Sequence, residues 1–202
     1  MIRRVLIPVV CLAAALVAAA ADEPKPIPCT LTVSPRPGMS EVSGGHSNML
    51  RANTIGGNTG SKTIKRNMKW LAEVRFRETR PEKAELRAYY IGQNADGKLI
   101  LLGKDAKGVE LDKNGRASVE FTSPTTQLTK SRTRSTSGGH HGFSSVKTQT
   151  RGERVTGCVV QLFADGQMAK SWTSDSRWAA EAAKPAFSIA ELEKKKSAIG
   201  LR

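Results

Sequence analysis

The strongest constraint in the chain is the run "IKRNMKWLAEVRFR" at residues 64–77. Ile64, Met68, Trp70, Ala72, Val74 and Phe76 share one parity, broken only by Arg66, while Lys65, Asn67, Lys69, Glu73, Arg75 and Arg77 share the other. A side-chain period of two buries one set and wets the other, so the run reads as a long half-buried strand. The same alternation recurs in "AELRAYYIG", with Ala84, Leu86, Ala88 and Tyr90 inward, and in "RASVEFTS", with Ala117, Val119 and Phe121 inward. Turn chemistry separates these runs. Asn94-Ala95-Asp96-Gly97 makes a hairpin of 84–102, and Ala164-Asp165-Gly166 makes one inside "RVTGCVVQLFADGQMAKSWTS".

With a strand over 29–34 and a short one over 109–111, about seven strands result. Their spacing points to an antiparallel, immunoglobulin-like β-sandwich. Near the C-terminus the period changes. A helix is expected over 175–184, capped by Ser174 and stopped by Pro185. A second is expected over 189–198, where Ser188 and Glu191 form a capping box and Phe187 and Leu192 a hydrophobic staple. Both are expected against an end or edge of the sandwich. Residues 35–62 are rich in Gly, Ser, Asn and Pro and read as a loop.

The N-terminus reads as a targeting segment. Arg3 and Arg4 precede an apolar run over 5–17, and Ala19-Ala20-Ala21 supplies the small residues of a cleavage site after Ala21. The chain then divides into a signal peptide at 1–21, an extended segment with the first strand at 22–61, the sandwich at 62–184 and a C-terminal helix at 185–202. The expected location is the periplasm or the exterior. Loss of Arg3 and Arg4 with the leader takes the net charge from +14 to +12, which favours encounter with anions. Cys11 leaves as well, and Cys29 and Cys158 remain in a compartment that permits disulfides. Both sit on inward parities, so a Cys29–Cys158 bridge is the expectation and two separate buried thiols the alternative.

The strand "WLAEVRFRE" at 70–78, "YYIG" at 89–92, "GRASVEF" at 115–121, "GCVVQLFADGQMAKSW" at 157–172 and the alanine-rich segment after it resemble a family of exported β-sandwich proteins of planctomycete and verrucomicrobial bacteria. The resemblance covers roughly residues 62–183. It implies the sandwich fold and export, and it brings no activity and no functional residues with it.

Residues 124–152 form a connection long enough to be an arm of its own. Lys130, Arg132 and Arg134 alternate with Ser and Thr, and Lys147, Gln149 and Arg151 do the same. Paired as a ribbon with "SGGHHGF" at its tip, the two halves are expected to gather Lys130, Arg132, Arg134, Lys147 and Arg151 on one face. Guanidinium forks and hydroxyls there suit carboxylate, sulfate or phosphate. A solvated, unordered loop is the alternative. Single-stranded nucleic acid is a poor fit, because Phe143 is the ribbon's only aromatic ring.

His46, His140 and His141 are the chain's three histidines. They are the only imidazole set a zinc site could use. His140 and His141 are adjacent, so an extended backbone points them apart, and no Asp or Glu stands near to orient them. No G-x-S-x-G elbow, Walker loop or G-x-G-x-x-G occurs, so neither a catalytic residue nor a cofactor is expected. Trp70 and Trp178 lie on apolar parities and read, with Trp172, as core. The expected function is an exported, non-catalytic β-sandwich that binds an acidic glycan or envelope component through the basic arm. A His-dependent metal-binding protein or metallohydrolase and a structural envelope protein are the alternatives.

Overall fold

The computed structural model describes residues 27–48, 58–78, 80–136 and 144–198. The chain is a β-sandwich with a projecting sheet. Among the described residues ten strands run in the order β1 Cys29–Arg36, β2 Ser40–Asn48, β3 Asn58–Arg66, β4 Lys69–Phe76, β5 Ala84–Asn94, β6 Leu99–Gly108, β7 Arg116–Thr122, β8 Thr126–Thr136, β9 Ser144–Ala164 and β10 Gln167–Thr173. A 3-10 turn at Ser176–Trp178 leads into α1 (Ala179–Ala182), and α2 spans Ile189–Ala198.

One layer is the antiparallel sheet β1-β4-β7. The other contains β6, β5, the second half of β9, and β10. Between them lie the residues that the alternation predicted: Trp70, Ala72, Val74 and Phe76 from β4, Leu86, Ala88 and Tyr90 from β5, Phe121 from β7, and Cys158, Val160 and Leu162 from β9. The Trp70 and Tyr90 rings stack at 5.9 Å across this core, a geometry that aromatic quadrupoles favour.

The long strand expected over 64–77 is in fact two. β3 ends at Arg66 and β4 begins at Lys69, and they belong to different sheets. The segment read as a loop at 35–62 supplies β2 and most of β3. Residues 109–111 form no strand, although Val109 is buried and its N–H reaches the Ala84 carbonyl at 2.8 Å.

The helices do not sit at an end or edge. They cover the outer face of the larger layer, where Trp178, Ala182 and Leu192 pack on Ile91 and Val159, with Tyr89, Leu99, Phe187 and Ile189 around them. The cap is Asp175 rather than Ser174: its side chain accepts from the Arg177 N–H at 3.0 Å. Ser174 Oγ instead accepts from the Cys158 N–H at 2.9 Å and fastens the segment to β9. Buried Gln161 donates from Nε2 to the carbonyls of Ala182 and Lys184 at 2.9 and 2.6 Å, which satisfies groups that a helix end leaves open.

Candidate functional site

β9 is 21 residues long and serves two sheets. Residues 153–164 pair with β5 inside the sandwich, and residues 144–152 pair with β8 outside it. The change of partner falls at Gly152, whose φ of +95° is open to glycine but strained for other residues. An added Cβ there would stand 2.0 Å from the Gln127 carbonyl oxygen. Just beyond, the register skips Thr156, and its hydroxyl donates to the Ile91 carbonyl at 3.0 Å. This bulge increases the local twist.

The arm is the four-stranded antiparallel sheet β2-β3-β8-β9. Beyond Thr126, which is buried at its base, none of the arm's described side chains is fully buried. Backbone ladders hold the arm together, with the Thr63–Thr129 hydroxyl contact at 3.1 Å as a cross-strand side-chain pair.

The expected pairing of 130–136 with 144–151 forms, but in the other register. Lys130 lies opposite Thr150, Arg132 opposite Thr148 and Arg134 opposite Val146. Lys147 lies opposite Thr133, and Arg151 opposite Thr129. Directly opposed residues share a face, so Lys147 and Arg151 are on the side away from Lys130 and Arg132. The five cations do not converge. Lys147 and Arg151 instead mark an edge strand, where charged side chains discourage pairing with another chain.

β3 restores a convergent set that the sequence reading missed. Lys62 lies directly opposite Lys130, Gly60 opposite Arg132 and Asn58 opposite Arg134. Arg66 shares their parity at the base of the arm, beside Thr126. One face thus carries Lys62, Arg66, Lys130 and Arg132, and the backbone of Arg134 continues the same register. Among the described residues of that face there is no Asp or Glu. Among the described residues Lys62, Lys130 and Arg132 also form no ion pair within 4 Å.

Same-face residues recur about every 6.8 Å along a strand, and neighbouring strands lie about 4.8 Å apart. The cations therefore form a column on β8 with Lys62 beside it, flanked by the hydroxyls of Thr148 and Thr150. Two like charges roughly 6 Å apart in water repel by about 0.7 kcal/mol, and a directly opposed lysine pair is unfavourable without a counter-charge. An extended polyanion supplies that charge to several rungs at once. Lys62 and Arg66 were hidden in sequence because β3 offers little hydrophobic alternation to reveal it.

The histidines are not assembled by the described structure. The backbone of His46 lies in β2 opposite Gly60, while His140 and His141 fall outside the described residues. Among the described residues no three His, Cys, Asp or Glu side chains form a group able to hold a metal.

The expected disulfide is not formed, and Cys29 and Cys158 are both free. Both face the core as the parity predicted, yet they stand at different levels of the sandwich. Cys158 pairs with Tyr90, whose ring stacks on Trp70, and Trp70 pairs with Pro35, six residues along β1 from Cys29. Six strand residues span about 20 Å, well beyond the Cα separation a bridge tolerates. Burial pushes both thiols up from their ordinary pKa, with Lys170 partly offsetting this at Cys29. Neither is a ready nucleophile.

No helix among the described residues is long and apolar enough to cross a membrane. No protein-family model and no curated protein matches the chain.

Proposed function

We propose that this protein is exported through its N-terminal leader and holds an acidic polysaccharide on the cationic face of its arm. The observation that carries the reading is a face with Lys62, Arg66, Lys130 and Arg132 and, among the described residues, no acid, in which Lys62 stands directly opposite Lys130. Lys130 and Arg132 contact successive acidic groups of an extended chain, Lys62 and Arg66 widen the track, and Thr148 and Thr150 take sugar hydroxyls. Guanidinium forks suit carboxylate and sulfate. The described residues of the arm, 40–48, 58–66, 126–136 and 144–152, include no Phe, Tyr or Trp, so single-stranded nucleic acid lacks there the stacking platform it uses. Kinship with the exported planctomycete and verrucomicrobial proteins belongs to the same proposal.

The test is retention of the mature protein on immobilised polygalacturonate across a salt series. Elution at a salt concentration that falls stepwise in Lys62→Ala, Lys130→Ala and Arg132→Ala supports the reading, since exposed charges are screened over about 8 Å at physiological ionic strength. Elution unchanged by all three removes the arm as the binding site.

A further inference from the structure

The outer face of the β1-β4-β7 sheet carries a second polar site that shares no residue with the arm. It is an open groove of about 540 Å³, lined by Thr30, Thr32, Glu73, Arg75, Arg116 and Ser118 among others. The register arranges these in two rows. Thr30, Arg75 and Arg116 lie opposite one another, as do Thr32, Glu73 and Ser118. The rows are two residues apart on each strand, about 6.8 Å, a spacing that a hexose can bridge with its exocyclic groups.

One wall is firmly built. Asp112 Oδ1 accepts from the backbone N–H groups of Asn114 and Arg116, both at 2.8 Å. Arg80 donates to the carbonyls of Leu111 and Asp112. The Phe76 N–H reaches the Gly115 carbonyl at 3.0 Å, and Gly115 turns there with φ +70°. Asp112 is thereby spent on its own turn, and the backbone donation, chiefly from Arg116, holds its carboxyl below the usual range.

The charges in the groove are held open. Some acid–base pairs two residues apart close on each other, as Glu85–Arg87 at 2.5 Å, Asp105–Lys107 at 3.9 Å and Asp175–Arg177 at 2.5 Å do, whereas among the described residues Asp96–Lys98 and Arg151–Glu153 stay open. Glu73 and Arg75 have the same spacing, yet among the described residues neither they nor Arg116 form an ion pair within 4 Å. Arg75 instead faces a second guanidinium, Arg116, across the strand pair. A directly opposed like pair is unfavourable until an anion lies between the two groups, and two guanidiniums match the two oxygens of a carboxylate. One row further, a carboxylate and two hydroxyls present acceptors and donors suited to vicinal hydroxyls.

We propose that this groove binds a carboxylated sugar unit, with Arg75 and Arg116 on the carboxylate and Glu73, Thr32 and Ser118 on the ring hydroxyls. The site does not depend on the arm, and a monosaccharide tests it separately.

The experiment is an amide NMR titration of the mature protein with glucuronate, set beside glucose and acetate. Saturable shifts at Thr30, Thr32, Glu73, Arg116 and Ser118, at least tenfold tighter for glucuronate than for either comparator, are expected. Arg75→Gln and Arg116→Gln each abolish them. Glu73→Gln weakens glucuronate toward the level of acetate and leaves acetate itself unchanged. All three residues are exposed, so the same spectra report that the fold persists. Equal affinity for acetate and glucuronate, shifts elsewhere on the protein, or indifference to both arginine substitutions would overturn the proposal.

Discussion

Replacing Gly152 by alanine is expected to uncouple the arm from the sandwich without unfolding the sandwich. A left-handed backbone costs an L-residue about 1–2 kcal/mol. The new Cβ would stand 2.0 Å from the Gln127 carbonyl oxygen and 3.1 Å from its carbon, so β8 must shift, at about a further 1–3 kcal/mol. The combined penalty of about 2–5 kcal/mol falls on a sheet with no buried core of its own. Such a sheet opens locally before the body does. Native-state hydrogen exchange reads the effect residue by residue. Opening of the amides in 128–136 and 144–151 should become about 30-fold easier or more, since 1.4 kcal/mol is tenfold. The amides of 86–90 and 158–163 should hardly change. Trp70, Trp172 and Trp178 all lie in the sandwich or its helical cover, so the denaturant midpoint followed by tryptophan fluorescence should stay in place. Unaltered arm protection, or a fluorescence midpoint that moves as much as the arm loosens, would refute the division into body and arm.

Gly157→Ala tests the helical cover. Its Cβ would stand 2.1 Å from Ser174 Oγ and 2.8 Å from the Trp178 ring, so a loss of about 1–3 kcal/mol and a red-shifted Trp178 emission are expected in urea titrations. Thiol labelling at neutral pH should modify half-buried Cys29 slowly and buried Cys158 only as fast as the protein opens, and equal rates would contradict the burial. Stability should also fall in alkali. The folded-state pKa of Cys158 lies above the unfolded value of 9.0 because burial disfavours the thiolate. Its contribution is therefore complete below pH 9.0 and is lost above it, by about 1.4 kcal/mol per pH unit. Urea midpoints from pH 8 to pH 10.5 should show this decline, and Cys158→Ser should make it shallower while leaving the part due to Cys29 and Tyr90, which burial also pushes up; a wild-type profile already flat would contradict it.

The sandwich was legible because burial of one face forces a period of two. Trp70 to Phe76, Leu86 to Tyr90 and Ala117 to Phe121 carry that period plainly. β2 and β3 were not legible. Their Ser, Gly, Thr and Asn residues lie in a sheet that buries neither face, so no alternation is imposed on them. The same cause hid the register of β8 on β9. Where no hydrophobic pattern selects a face, a shift of one residue sends every side chain to the other side, and Lys147 and Arg151 were accordingly assigned to the wrong face. The helical cover did leave a trace. "YYIG" and "CVVQLF" are apolar on both parities, as strands covered on both faces are, and Ile91 and Val159 are the residues beneath Trp178 and Leu192. The free cysteines show the limit of parity, which gives the face of a residue but not its height along the strand.

The most direct test of the cationic face compares two double reversals of identical net charge, Lys130→Glu with Arg132→Glu and Lys147→Glu with Arg151→Glu. Each lowers the charge by the same amount, but on opposite faces of one sheet. Affinity for soluble polygalacturonate at fixed ionic strength should fall at least tenfold more for the first pair than for the second. Equal losses would mean that net charge alone drives the binding and that the arm's face is not the site.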